Sequence, residues 1–140
     1  MESPHVDRIE DLELFADCRK AELRQIQPLM TYLDVAKNQV LMREGDFVRQ
    51  FIVVGGGTAR LTRKTGEGVA EVTDLGSGEF LGESSLLAGT RTTVTATAAT
   101  DLVVFVSTPG EFRSILRIAP SVEHKVRQAS PGWSEGNAAA

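Results

Sequence analysis

Between Tyr32 and Ser107 this chain never runs far without a turn signal, and that spacing constrains the fold more than any other feature. "REGD" at Arg43 to Asp46, "GGG" at Gly55 to Gly57, "KTGEG" at Lys64 to Gly68 and "LGSGEF" at Leu75 to Phe80 punctuate it at short intervals. Between them lie "FIVV", "TARLTR" and "VAEVTDL", too short for helices and rich in β-branched residues. Two of these runs alternate. Ala59 and Leu61 oppose Arg60 and Thr62, and Val69, Glu71 and Thr73 oppose Ala70, Val72 and Asp74. A period of two marks half-buried antiparallel strands. "TTVTATAATDLVVFVS" continues the pattern. Many short strands at this spacing favour a sandwich, jelly roll or barrel.

The ends read differently. "FADCRKAELRQIQPLM" carries Ala21, Leu23, Ile26 and Leu29 at roughly helical spacing, and Pro28 closes that helix. "TPGEFRSILRIAP" switches back to helix. Thr108 is the cap, Pro109 the first helical position and Glu111 the third, which makes a capping box. Phe112, Ile115 and Leu116 share one face. Pro120 breaks this helix, and "SVEHKVRQA" starts another that "SPG" ends. The expected class is therefore mainly β with flanking helices (α+β). One domain spans 1–130, with a helical start at 7–29, a β-roll at 31–107 and C-terminal helices at 108–130; the tail 131–140 reads as flexible.

Composition narrows the function. A chain of 140 residues, 41% hydrophobic and 24% charged, has a core and is not a disordered segment. Its net charge of −4 is opposite to the basic surplus of a nucleic-acid binder. One cysteine, Cys18, allows no internal disulfide and suits a reducing compartment. The acidic start "MESPHVDRIEDLELF" lacks the basic and apolar regions of a signal peptide. No apolar run reaches the ~20 residues of a membrane helix. These readings predict a cytoplasmic protein that engages neither membrane nor nucleic acid.

Catalytic patterns are missing. His5 and His124 stand far apart without neighbouring ligands, so no metal site is expected. No serine sits in a G-x-S-x-G elbow, and neither the dinucleotide fingerprint nor the phosphate loop is matched. The chain reads as a non-enzyme with no cofactor; a small enzyme using the barrel cavity would need an acid, base or metal set that the sequence does not show.

"GESSLLAGTRTTVTA", Gly82 to Ala96, is the stretch with binding chemistry. Gly82 lets the backbone turn or approach a ligand closely. Glu83 to Leu87 fits one helical turn whose first amides favour an anion, and the small Ser84 and Ser85 leave those amides open. Arg91 can add charge-assisted hydrogen bonds to the same anion, and Glu83 can accept from a hydroxyl. Phosphate plus sugar hydroxyl describes a cyclic nucleotide. The plain alternative is a solvated Glu–Arg pair on an ordinary loop, worth ~0–1 kcal/mol. Leu86 and Leu87 read as core.

From about Leu14 to Arg127 the chain resembles the cyclic nucleotide-binding domain family. "LF" at Leu14 and Phe15 with "AELRQI" resembles its leading helix, and "REGD" its E-G-D turn. "FIVVGGGTARL" resembles F-x-V-x-x-G-x-x-x-V, "LGSGEFLGESSLL" the phosphate-binding cassette L-x-x-G-x-x-F-G-E-x-A-L-L, and "EFRSILRIAPSV" the lead into the lid helix. The resemblance implies an antiparallel β-roll, a double-stranded β-helix jelly roll. It implies Glu83 on the ribose 2′-hydroxyl and Gly82, Ser84 and Ser85 along the ribose–phosphate. It puts Arg91 on the cyclic phosphate, followed by Thr92. The ligand it implies is cyclic AMP first and cyclic GMP second, in a stand-alone sensor whose terminal helices signal to an effector protein or within a homodimer. The pattern also departs. The family ends its cassette in R-[TAS]-A-x-V, whereas this chain has "RTTV" after a shortened "LLAGT". Arg91 and Val94 are three apart, so on a regular strand they face opposite sides. The alternative is thus a degenerate domain that works only through protein contacts. In the tail, Trp133 is an aromatic that could cap a base, though a tail aromatic more often packs loosely.

Overall fold

The computed structural model describes residues 6–129. Trp133, His5, the "SPG" stop and the tail 131–140 lie outside them. The elements run in order as two 3-10 turns, Ile9–Asp11 and Glu13–Phe15; α1, Lys20–Ile26; a 3-10 turn, Gln27–Leu29; β1, Thr31–Val35; β2, Val40–Met42; β3, Phe51–Gly56; β4, Ala59–Thr65; β5, Gly68–Leu75; β6, Phe80–Leu81; α2, Glu83–Ala88; β7, Thr95–Ala98; β8, Leu102–Ser107; α3, Pro109–Ile118; and α4, Pro120–Gln128.

The strands form two antiparallel sheets, ordered β1-β8-β3-β6 and β2-β7-β4-β5. First pairs with last, second with seventh, third with sixth and fourth with fifth. That nested pairing is a jelly roll: the chain folds as one long hairpin and then rolls up.

Burial explains the two kinds of strand. β3 and β8 are buried along their whole length. Ile52, Val54, Val104 and Val106 face the roll interior with Leu61, Leu81, Val94 and Ala96. Phe51, Val53 and Phe105 face the other way, into a second core with Phe15, Ile26, Phe112, Ile115, Val122 and Val126 from the helical segments. A strand covered on both faces is apolar at every position, which is why "FIVV" and "LVVFVS" do not alternate. β4 and β7 are covered on one face. Ala59, Leu61, Ala96 and Ala98 point in, and their neighbours are half-buried.

Three expectations change. The starting helix is shorter than the apolar spacing suggests. The Arg19 amide donates to the Glu22 carboxylate at 2.9 Å, which starts α1 there, and Pro28 tightens its end into the 3-10 turn. The alternation in β5 does not become burial at its outer end. Gly68 to Glu71 pair with Thr62 to Thr65, beyond most of the reach of β7, so the hairpin projects and Val69 is exposed. Leu87 is not core either. It is 37% exposed at the solvent side of α2, while Leu86 packs on the helical core. The capping box forms as the sequence indicates: the Glu111 amide donates to Thr108 Oγ1 at 3.1 Å and the Thr108 amide to Glu111 Oε1 at 2.9 Å.

Candidate functional site

The site begins where β6 hands the chain to α2. Leu81 pairs with Ile52 and sits fully buried, which anchors the next residue at the rim of the roll. Gly82 has φ +98°, and a Cβ there would lie 2.6 Å from the Gln50 carbonyl oxygen. Both the left-handed backbone and that close approach require glycine. α2 then runs six residues and stops at Gly89, whose φ is +69°.

Glu83 is the first residue of α2 and is 1% exposed. Its own backbone amide and the Ser84 hydroxyl, 3.4 Å from Oε2, hydrogen-bond the carboxylate. Oε1 has no hydrogen-bond partner among the described residues. Burial disfavours the charge more than those two bonds favour it, and the pKa is raised to about 7. A carboxylate oxygen held dry and unbonded is costly, and such an atom in a native fold calls for a partner.

Met42, Gly82, Glu83, Ser84, Ser85, Thr92 and Thr93 surround a cleft here. Its cavity is about 10 Å³ at water centres, room for roughly one water. Five of the six residues singled out from the sequence therefore meet at one place. The sixth, Arg91, does not line the cleft. Its Nη1 donates to the Gly45 carbonyl at 2.9 Å, and its guanidinium lies 4.3 Å from the centre of the Phe47 ring. Such a stack is worth ~0.5–1 kcal/mol where solvent reaches it, and Phe47 is 56% exposed.

The backbone explains that placement. The Gly45 amide donates to the Thr92 carbonyl at 2.8 Å and the Thr92 amide to the Asp46 carbonyl at 2.9 Å, so the segment before β7 is zipped to the turn after β2. Thr92 Oγ1 then donates to the Val94 carbonyl at 2.9 Å and accepts from the Val94 amide at 3.3 Å. This tight turn interrupts the strand between Arg91 and Val94, and regular strand resumes only at Thr95. Val94 is fully buried and Arg91 is exposed. Met42, Thr93, Gly45 and Phe47 were not singled out as site residues. The signal for the last two was the "REGD" turn, which reads as a fold marker until the pairing of Phe47 with Arg91 brings it to the rim.

Among the described residues no group of three or more His, Cys, Asp or Glu side chains is placed to hold a metal ion. No described helix is long and apolar enough to cross a membrane.

Comparison with known proteins adds to this geometry. The sequence model of the cyclic nucleotide-binding domain matches residues 32–118. Over 118 residues the chain is 29% identical to Acetyltransferase Pat of Mycolicibacterium smegmatis, covering 84% of this chain and 35% of that protein. The catabolite activator protein of Thermus thermophilus superposes with a TM-score of 0.74 at 23% identity, over 82% of this chain and 55% of the other. A regulatory-subunit variant of a cAMP-independent protein kinase A from Trypanosoma brucei, bound to cAMP in its A site, gives 0.79 at 14% identity, over 93% and 47%. A mutant form of a cAMP-binding acyltransferase from Mycobacterium smegmatis gives 0.68 at 28% identity, over 77% and 34%. The chain spans less than two thirds of the length of each of these proteins.

Proposed function

The chain belongs to the cyclic nucleotide-binding domain family, and on that premise we propose that it is a non-enzymatic regulatory module that binds a cyclic nucleotide at α2. Cyclic AMP is the first choice of ligand and cyclic GMP the second. The observation that carries this reading is the buried Glu83 Oε1, which has no partner among the described residues and borders the cleft. A ribose hydroxyl is a donor of the right kind for it. Gly82, Ser84 and Ser85 offer close backbone and small hydroxyls to the ribose–phosphate, with Thr92 across the cleft. Arg91 joins them by leaving Phe47 and Gly45, which exchanges one neutral-acceptor bond and a stack for charge-assisted bonds to phosphate. The likeness to the cAMP-binding acyltransferase supports the choice of ligand.

The output is mechanical. Leu86 of α2 and Phe80 of β6 pack against the core that holds α3 and α4. A ligand that draws α2 toward the roll therefore shifts the balance between two arrangements of the terminal helices. An effector protein or a second copy, in a cytoplasmic setting, reads that balance.

Isothermal titration calorimetry tests the reading. Cyclic AMP binds at micromolar or tighter Kd, and Arg91→Ala raises Kd by roughly one to two decades, the ~1.5–3 kcal/mol of a charged hydrogen bond. No heat and no melting shift at millimolar cyclic AMP sinks it. That outcome supports the second reading, a degenerate domain acting through protein contacts. The one-water cavity and the outward Arg91 favour the second reading.

A further inference from the structure

Among the described residues three cationic side chains are half-buried: Arg60, Arg63 and Lys125. Arg60 is paired with Asp74 and Glu71, and Lys125 with Asp17 and Glu13. Arg63 is in no ion pair among the described residues, and its Nε is buried without a hydrogen-bond partner there. A guanidinium nitrogen withdrawn from water and left unbonded is a cost that a well-packed surface does not need.

The register says which way Arg63 faces. β4 pairs with β7 without interruption through Ala59↔Ala98, Arg60↔Thr97, Leu61↔Ala96 and Thr62↔Thr95. Arg63 is the next residue of β4, just past the last pair of that ladder, and pairs with Ala70 of β5 on its other side. The bulge after Leu61 falls in the pairing with β5, so the alternation along β4 itself is unbroken. Ala59 and Leu61 are fully buried in the roll interior, and Arg63 shares their face. Val94 directly follows Thr92 and Thr93, which border the cleft, and Met42 on the far side of β7 borders it too. Arg63 does not itself line the cleft, but it stands on the interior face of β4 where the chain of β7 runs on to Thr93 and Thr92 at the cleft, whereas Arg91 is turned out to Phe47.

We propose that Arg63 is a phosphate-binding residue of this site: its guanidinium meets the anionic group of the cyclic nucleotide from the β4 side, across the cleft from α2. This rests on the cyclic-nucleotide reading above. Arg91 starts from the surface and must swing in to reach the phosphate, and the half-buried arginine on the neighbouring strand adds a second charge to it. The alternative is a stem that only covers apolar surface and leaves its head idle.

Arg63→Met keeps the stem and removes the head. Calorimetry on the whole chain with cyclic AMP and with uncharged adenosine separates the cases. The proposal expects Kd for cyclic AMP to rise roughly ten- to hundredfold in Arg63→Met, with partial recovery in Arg63→Lys. Adenosine affinity stays unchanged, and the unliganded melting temperature holds or rises, because the unbonded nitrogen is gone. The Nε–H resonance of Arg63 shifts when cyclic AMP is added to the unaltered protein. Equal losses for cyclic AMP and adenosine, or cyclic AMP binding unchanged in Arg63→Met, overturn the role of Arg63 and leave the nucleotide reading intact. Failure of the unaltered chain to bind cyclic AMP removes both.

Discussion

Glu83 is a carboxyl that the fold holds at a cost in stability. Its pKa stands at about 7 in the fold against an ordinary 4.5, mainly because burial strips water from the carboxylate. An acid with a raised pKa holds its proton in the folded chain at pH values where the unfolded chain has lost it. Its contribution to stability is therefore intact below about pH 4.5 and is lost as the pH climbs to about 7, by roughly 3 kcal/mol at most. Glu83→Gln removes that slope. Urea unfolding at pH 5 and pH 8 is expected to show the variant gaining on the native chain at the higher pH; parallel pH profiles would refute the placement of this carboxyl. Gly82 illustrates the same scale. It has no side chain, yet its left-handed φ and its proximity to Gln50 hold α2 where Glu83 borders the cleft.

α3 is held mainly by its buried face, with its first turn adding to it. The reciprocal bonds between Thr108 and Glu111 satisfy two amides that a helix start leaves open. Thr108→Ala is expected to lower unfolding free energy by ~1 kcal/mol and to speed hydrogen exchange at the Glu111 amide; an unchanged Glu111 exchange rate would show that the cap is not used in solution. α2 stands at the other extreme. It has six residues, no side-chain cap and two glycines at its borders, so its position depends on Leu86 and on the β6 anchor rather than on its own propensity.

Across the molecule, one aromatic file joins the two layers. Phe80 before the cassette lies 5.6 Å from Phe51 on β3, and Phe51 lies 4.6 Å from Phe112 on α3, measured between ring centres. Phe51 is fully buried between sheet and helices. Phe51→Ala is expected to cost ~3–5 kcal/mol of unfolding free energy in urea, the usual toll of a buried ring; a cost below ~1 kcal/mol would show that the layers do not share it. The same file is a packed route from cassette to terminal helices.

Much of this architecture could be read from residue order. Turn signals between short β-branched runs mark a roll, because strand and turn preferences are local. Gly82, Glu83, Ser84, Ser85 and Thr92 could be found together because they sit close in the chain. The direction of Arg91 could not. It depends on a backbone zipper to Gly45 and Asp46 and on a ring contributed by Phe47, partners distant in sequence that only folding brings to the rim. Nor could the lack, among the described residues, of a partner for Arg63 Nε, since that depends on where distant neighbours come to lie. Local preference determined the strands and caps of this protein; long-range packing decided which of its charges face the cleft.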